Sequence, residues 1–496
     1  MTEHLLSINL LIALAGLFFI ALTNREKTLI IKTVSLVITG LQFWIAIEIF
    51  FNFNPAETAL QFSERIKWIT ALRIDYYLGV DSINLLFLTV TALLIFLTAL
   101  ISWKTEKRIK DFYMLLLVTD IGLTGVFSAM NLFLFFIFLG VTFFAIYLMI
   151  GIWSDKSDSN PANRIGIYLM LGYTLILLGL ILLFHESHIH SLNLTELVSG
   201  NTLPYSSQMV ILVIFLIGFA MLIPLFPFHS WLIPVIKKAP VGVSILVVGI
   251  LTKIGAYGLI RIIAPVMPAA FNILALGFGI WGLVNLIYGA ICALGTEDAD
   301  QIIGYYTIQQ MGIILIGFAT IVGGSRLNLP AAVTGLSGAM IMVISHACLI
   351  TLLLVILKKA VPDGINPSQT SPGMRSIIVL ALLGGLGMPG MSDFIARFMT
   401  LLGAYQIPGL AVIVIISLIG IFLNFVVFLR LFKRLIFNSP SDSAQSAEAL
   451  DLSERIAIII LLIVIVMLGI FPGPLLGVIK TELVKLVEMF SLAVTM

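Results

Sequence analysis

The sequence predicts an all-α polytopic membrane protein, and three observations carry that prediction. Of 496 residues, 60% are hydrophobic and only 10% charged, against roughly 25% charged in an ordinary soluble domain. Apolar runs of about 20 residues, the length that crosses a bilayer, recur along the whole chain. The basic residues between them alternate in the way that cytoplasmic loops, rich in Lys and Arg, alternate with outer ones.

The runs lie near residues 5–23, 29–51, 84–102, 112–129, 131–153, 165–184, 208–227, 241–263, 271–294, 302–322, 330–357, 376–402, 410–434 and 455–478. That is about 14 transmembrane helices. The first has no basic n-region and no small-residue cleavage site, so it is expected to be a span and not a signal peptide. The odd-numbered loops hold 18 of the 27 basic residues, from Arg25 and Lys27 through Lys104–Lys110, Lys237 and Lys238 to Arg430–Arg434 and Arg455. The even-numbered loops hold Arg65, Lys67, Arg73, Arg261 and Arg326. Both termini are therefore expected outside the cytoplasm, in a bacterial inner (cytoplasmic) or thylakoid membrane.

The polar stretches 52–83, 185–207, 358–375 and 437–455 are too short to bury a core of their own. They are expected to be loops or short surface helices, with NSPSDSAQSAEALDLSE as a flexible connector. In VIKTELVKLVEMF, apolar Val478, Leu483, Leu486 and Val487 alternate with Lys480, Glu482, Lys485 and Glu488, which suits a short helix on the membrane surface.

Two spans are interrupted. GFAMLIPLFPFHSWLIP carries Pro224 and Pro227 in the seventh, and GGLGMPGMSDFIARFM carries Pro389 in the twelfth. Paired Gly/Pro-interrupted spans point to a transport path between repeats. Their odd separation of five predicts two inverted five-helix repeats, helices 4–8 and 9–13. The expected organisation is three N-terminal helices with their loop over 1–111, the first repeat over 112–263, the second over 264–437, and connector, last span and amphipathic tail over 438–496.

A net charge of +2 gives no footprint for nucleic acid. Cys292 and Cys348 lie too far apart for a redox or metal motif, and both read as packing residues. His185, His188 and His190 in HESHIH invite a metal reading, but no second ligand cluster accompanies them, and no metal is expected. With no Gly-rich fingerprint after a strand and no cysteine cluster, no cofactor is expected either.

Ionisable residues inside spans cost a few kcal/mol and are functional candidates by default. Lys253, in SILVVGILTKIGAYGLIRI, sits mid-helix, too deep to snorkel; proton handling and a permanent ion pair are both open. His346 in MIMVISHACLITLLL can pass protons or pack. Asp393 and Arg397, four apart beside the Pro389 break, are placed to pair. Since Arg hardly deprotonates, that pair suits an electrostatic gate. Asp120 in LLLVTDIGLTGVF is a lone carboxylate, structural or functional. Tyr305, Thr307, Gln309 and Gln310 form a polar stripe that orders water or ties helices together, and His229 after FPF is an entrance or interfacial residue.

Taken in order and spacing, WKTEKRIKDFYMLLLVTDIGLTGVF, NLFLFF, LFPFHSWL, ILTKIGAYGLIR, YYTIQQMG, the His346 span and GMPGMSDFIARF resemble the antiporter-like membrane subunits of respiratory complex I and Mrp-type cation/proton antiporters. EKRIKDFYMLLL, IYLMIGIW and the short C-terminal tail resemble most the subunit M branch, chain 4 of the photosynthetic NAD(P)H-quinone enzyme. The resemblance implies fourteen helices, inverted repeats and proton movement coupled to quinone reduction elsewhere in a larger complex. It also exposes departures. The fifth-helix glutamate and seventh-helix lysine of the family fall on Gly140 and Leu222. The exit-side glutamate of subunit M falls on Arg397, where related subunits have lysine, and Gln310 replaces a histidine. Loss of both partners of a buried pair is physically coherent, because losing one alone would strand a charge.

The expected function is a non-redox membrane subunit of a complex I-like NAD(P)H:quinone oxidoreductase that contributes to proton translocation, with an impaired or altered channel. The expected proton-path residues are Lys253, His346, Asp120, Arg397, Asp393, Gln310 and His229, and the expected partners are other membrane subunits, the bilayer and protons or Na⁺, with quinone met only through the complex. A Mrp-type or ion-coupled inorganic-carbon uptake subunit and a non-pumping scaffold remain open alternatives. The central half of the path is expected to survive without its entry-side switch: either Asp120 has taken over the partner role, or the subunit is a structural, non-pumping or differently selective paralogue.

Overall fold

A computed structural model of the chain describes residues 4–57, 59–155, 160–200, 203–323, 328–360, 372–437 and 450–493. Of the connector expected over 438–454, residues 438–449 lie outside the described residues, whereas Asp451 and Glu454 form a capping box at the start of the helix Leu452–Ile470.

Helices dominate because nearly every apolar run satisfies its backbone polar groups internally, as a lipid environment demands. They are α1 (Leu5–Leu22), α2 (Thr28–Asn52), α3 (Ser82–Ile101), α4 (Ile109–Ser128), α5 (Leu132–Trp153), α6 (Pro161–Glu186), α7 (Leu194–Ser199), α8 (Tyr205–Ala220) and α9 (Leu232–Lys238). There follow α10 (Val241–Val266), α11 (Pro268–Leu294), α12 (Ala299–Ala319), α13 (Leu329–Val355), α14 (Pro372–Leu386), α15 (Ser392–Tyr405), α16 (Ala411–Ile436), α17 (Leu452–Ile470) and α18 (Gly473–Ala493). Among the described residues, twelve helices are long and apolar enough to cross a membrane unbroken. The two expected breaks are present: Pro224 and Pro227 separate α8 from α9, and Pro389 separates α14 from α15. At the second break Gly387 and Gly390 adopt φ of 78° and 92°, a region that favours glycine.

Side-chain caps set several starts. Asp81 and Asn84 form a capping box on α3, Asn131 accepts from Phe133 N and Leu134 N of α5, and Asn160 accepts from Ala162 N ahead of α6, with Pro161 at its first position.

The stretch 52–83, expected to hold loops or short surface helices, instead folds as an antiparallel hairpin of β1 (Gln61–Ile69) and β2 (Ile74–Val80). QFSERIKWI alternates side chains at period two, which suits a strand. Met130 N donates to Tyr77 O at 2.8 Å, tying the hairpin to the α4–α5 junction. The last span also ends earlier than the expected residue 478. It stops at Ile470, because Pro472 cannot continue it, and α18 begins at Gly473. Ile479, Leu483, Val487 and Phe490 of α18 are buried, and Phe490 meets Phe271 with ring centroids 5.7 Å apart.

The chain forms two compact units. The first contains Met1–Ile223, Lys238–Leu274 and Val478–Met496; the second contains Pro224–Lys237 and Ala275–Gly477. Each has one helix whose best spanning window is wholly buried in protein: Val241–Val266 in the first and Leu329–Lys358 in the second. Polar side chains in those windows face protein and not lipid.

Candidate functional sites

In the first unit, α10 is irregular around its one lysine. π-helical turns at Ile245–Leu251 and Gly258–Ile263 flank a short α-helical stretch, Thr252–Tyr257. Such bulges are frequent at functional sites, because the wider turn loosens the backbone ladder. Lys253 is 1% exposed. Its Nζ donates to Val248 O at 2.9 Å and to Thr252 Oγ1 at 3.1 Å, and Thr252 Oγ1 donates to the same carbonyl at 2.8 Å. The ammonium is therefore held by dipoles of its own helix.

Two helical turns further on, Arg261 pairs with Asp81, the N-cap of α3. Counting Arg261 as an outer-loop charge was wrong: it lies within α10, with its side chain 11% exposed. The spacing Lys253, Tyr257, Arg261, every fourth residue, was the signal that could have found it.

Asp120 is buried, and its carboxylate engages its own helix and α2. Oδ1 accepts from Thr124 Oγ1 at 3.4 Å, and Gln42 of α2 is its other side-chain partner. No ion pair joins Asp120 to Lys253 among the described residues.

Gly140 and Leu222 carry no charge, and their surroundings differ: Gly140 lines a cavity of about 590 Å³ together with Phe143, Tyr147 and Tyr173. A Cβ on Gly140 would lie 2.5 Å from Tyr173 Oη. The Tyr173 ring stacks on Phe136 at 4.0 Å, and its hydroxyl donates to Phe136 O at 3.3 Å. Leu222 is fully buried and would stand 3.7 Å from a Cβ on Gly172.

In the second unit the second helix break assembles a compact polar group. Asp393 and Arg397 form the expected ion pair, both buried. Arg397 Nη2 also donates to Gly385 O at 3.4 Å, an acceptor shared with Asn424 Nδ2 at 3.1 Å. A Cβ on Gly387 would meet Arg397 Nη1 at 2.9 Å, so glycine there leaves room for the guanidinium. Above it sits Tyr306, fully buried, with the guanidinium carbon 6.0 Å from its ring centroid and the His346 ring at 6.0 Å. Gln310, one turn along α12, shares the Tyr306 face. Ser345 and Ser392 bridge α13 to α15 through their hydroxyls at 2.7 Å. Sequence reasoning named Tyr305 and passed over Tyr306, Ser392 and Asn424. The tyrosine pair inside a polar stripe was the only local sign of them.

His229 belongs to a separate aromatic group. It hydrogen-bonds Tyr288 Oη at 2.8 Å and stacks on Phe226 at 5.8 Å. Phe226 N donates to Asn285 Oδ1 at 2.7 Å, and Trp281 Nε1 donates to Phe226 O at 2.6 Å, which holds the α8–α9 break in place. Among the described residues no group of three or more His, Cys, Asp or Glu could hold a metal ion.

Buried ionisable groups on broken or π-interrupted helices are features that membrane transport proteins share widely, so sequence relationships decide the family. The profile of the NADH:quinone oxidoreductase/Mrp antiporter transmembrane family matches residues 129–424. The chain belongs to this family. NADH-quinone oxidoreductase subunit M of Rickettsia conorii is 28% identical over 98% of this chain and 99% of its own length. The chloroplast NAD(P)H-quinone oxidoreductase chain 4 of Chaetosphaeridium globosum is 29% identical over 92% of each. Among solved structures, a chain of respiratory complex I from Thermus thermophilus superposes with a TM-score of 0.81 at 21% identity, covering 98% of this chain and 99% of that one. A chain of the Mrp complex from Dietzia gives 0.79 at 18% identity over 96% of this chain and 52% of that one. As a member of the family, the chain is a multi-pass membrane protein of the antiporter-like fold.

Proposed function

We propose that this chain is the antiporter-like membrane subunit of a complex I-like NAD(P)H:quinone oxidoreductase and contributes to proton translocation driven by quinone reduction on other subunits. The full-length match to subunit M relatives supports it, and Lys253 is the single observation that carries it. A lysine enclosed by protein between two π-helical turns, its Nζ donating to a carbonyl and a hydroxyl of its own helix, is placed to give up and regain a proton.

In this proposal Lys253 loads and unloads the proton in the first unit. In the second, His346 passes it by way of Tyr306 and the Gln310 face to Asp393, whose affinity for it is set by the adjacent Arg397. His229 serves as a side entrance at the α8–α9 break. Asp120, turned toward Gln42 and Thr124, stands outside this line. The inverted repeats over 112–263 and 264–437 are part of the same proposal. The lack of an ionisable side chain at Gly140 and at Leu222 favours a channel altered on the uptake side.

Lys253→Met should abolish quinone-coupled proton uptake in proteoliposomes while the complex still assembles. Unchanged uptake would overturn the proposal in favour of a scaffold. Purification from native membranes with small antiporter or carbon-uptake subunits, and no NAD(P)H-dependent quinone reduction, would replace the redox complex with a transporter.

A further inference from the structure

The cavity that Gly140 lines is a cleft along the seam between α5 and α6, both of them spanning helices. Two glycines lie in its wall, each close to a tyrosine of the facing helix. A Cβ on Gly140 would lie 2.5 Å from Tyr173 Oη, and one on Gly166 would lie 2.9 Å from the Tyr147 ring. Phe143 and Met170 line the stretch between these two contacts. The cleft is open on one side, since the lining residues Phe144, Ile167 and Met170 are 63%, 59% and 73% exposed. Its volume of about 590 Å³ falls within the roughly 300–1,000 Å³ of small-molecule sites.

Depth and chemistry choose the occupant. Along α6 the lining runs from Asn163, the third residue of that helix, to Tyr173, the thirteenth of 26. Ten residues of helix rise about 15 Å, which is half of the roughly 30 Å hydrocarbon core. The cleft therefore serves one leaflet and stops near the middle of the membrane. A neighbouring spanning helix, about 10–12 Å across, would need a groove of full depth. Ordered water needs two to four polar partners, and walls of Phe, Leu, Ile and Met offer none. A half-depth apolar slot, open sideways to lipid, fits one acyl chain. Asn163 puts an amide at the surface end, where the ester oxygens of the same lipid lie. No charged side chain lines the cleft among the described residues, so the tail carries the recognition.

We propose that the α5–α6 cleft binds one acyl chain of a membrane phospholipid, drawn from the leaflet on the Pro161 side and ending against Gly140 and Tyr173. Without it, the aromatic walls would lack contact partners on one side. The site shares no residue with the proposed proton line and does not depend on it.

The test uses the intact complex, delipidated in detergent and titrated with phosphatidylethanolamine that carries a photoreactive diazirine near the end of one acyl chain. Adducts mapped by mass spectrometry are expected on Met170 and Tyr173, saturating at one lipid per chain. Adducts on Ile419 and Phe422, exposed on α16, should rise without saturating. Ile167→Trp, on the open rim, should abolish the saturating component while assembly and α16 labelling stay unchanged; Met170→Trp serves if that variant fails to assemble, with Tyr173 then the reporter. Cleft labelling that never saturates, or that both variants leave intact, would overturn the site. Displacement of the photolipid by an equal concentration of quinone would overturn it in favour of an isoprenoid tail. Labelling that appears only after neighbouring subunits dissociate would assign the cleft to a protein partner instead.

Discussion

Tyr306 shows how much one side chain can organise in a dry site. It is the common neighbour of His346 and of the Asp393–Arg397 pair, and it sits on a helix that brings Gln310 to the same face. Tyr306→Phe keeps the ring and its cation–π contact and removes only the hydroxyl. The complex should assemble with unchanged stability while proton transport per electron pair falls, measured as pH change against NAD(P)H oxidised. Glycine matters where backbones touch: a Cβ on Gly282 would lie 2.5 Å from Gly312 O, and one on Gly312 would lie 2.5 Å from Gly282 O. Gly282→Ala should therefore cost about 1–3 kcal/mol through overpacking, read as a lower unfolding midpoint. Restoring the lost acid alone should fail in a related way. Gly140→Glu brings its Cβ within 2.5 Å of the Tyr173 hydroxyl, so it should lower the unfolding midpoint without improving transport, and shrinking Tyr173 in the same variant should recover the midpoint.

At the level of elements, the hairpin and α7 are held by an electrostatic clasp outside the membrane. Arg65 reaches Asp75 and Glu196 at 2.7 Å each, and Asn193 Nδ2 donates to both acids at 3.1 Å. Burial pushes the Glu196 carboxyl up, but hydrogen bonds from Ser191, Arg65 and Asn193 and the Arg65 charge outweigh it and hold it below the ordinary glutamate range. A depressed carboxylate stabilises the fold above its unfolded pKa, and that contribution is lost as pH falls through the lower folded value. Hydrogen-exchange protection of 61–80 should thus be steady at neutral pH and fall once pH drops below the ordinary glutamate range; Glu196→Gln should flatten the fall. Because Arg65 and Glu196 are partly solvent-exposed, salt should weaken the same clasp.

The hairpin also marks where sequence reasoning stopped short. QFSERIKWI is amphipathic at period two, yet a polar stretch between spans carries no hydrophobic demand strong enough to choose strand over loop. Its pairing with Ile74–Val80 and its tie to Met130 decide the matter. By contrast, the breaks at Pro224, Pro227 and Pro389 were legible, since proline removes a backbone donor wherever it falls.

For the whole molecule, each compact unit encloses one helix whose spanning window is wholly buried in protein, and each such helix carries one of the proposed proton carriers, Lys253 or His346. Lys253→Met and His346→Ala should each reduce transport, while the double variant should lose no more than the worse single one if the two act in series. A sum of the two losses would instead indicate independent routes. The measurement is proton uptake at matched quinone reduction.

Sequence alone determined the membrane class, the apolar runs, the two broken helices and the identity of the intramembrane charges, because lipid enforces hydrophobic length and penalises every charge. It also pointed to the family through the order of its motifs. Only the tertiary structure decided which charges meet. It paired Arg261 with Asp81, gathered His346, Tyr306, Asp393 and Arg397, turned Asp120 toward Gln42, and set Tyr173 beside Gly140. Spacing along a helix fixes which face a side chain occupies, but the neighbour across that face comes from a distant segment, and packing alone chooses it.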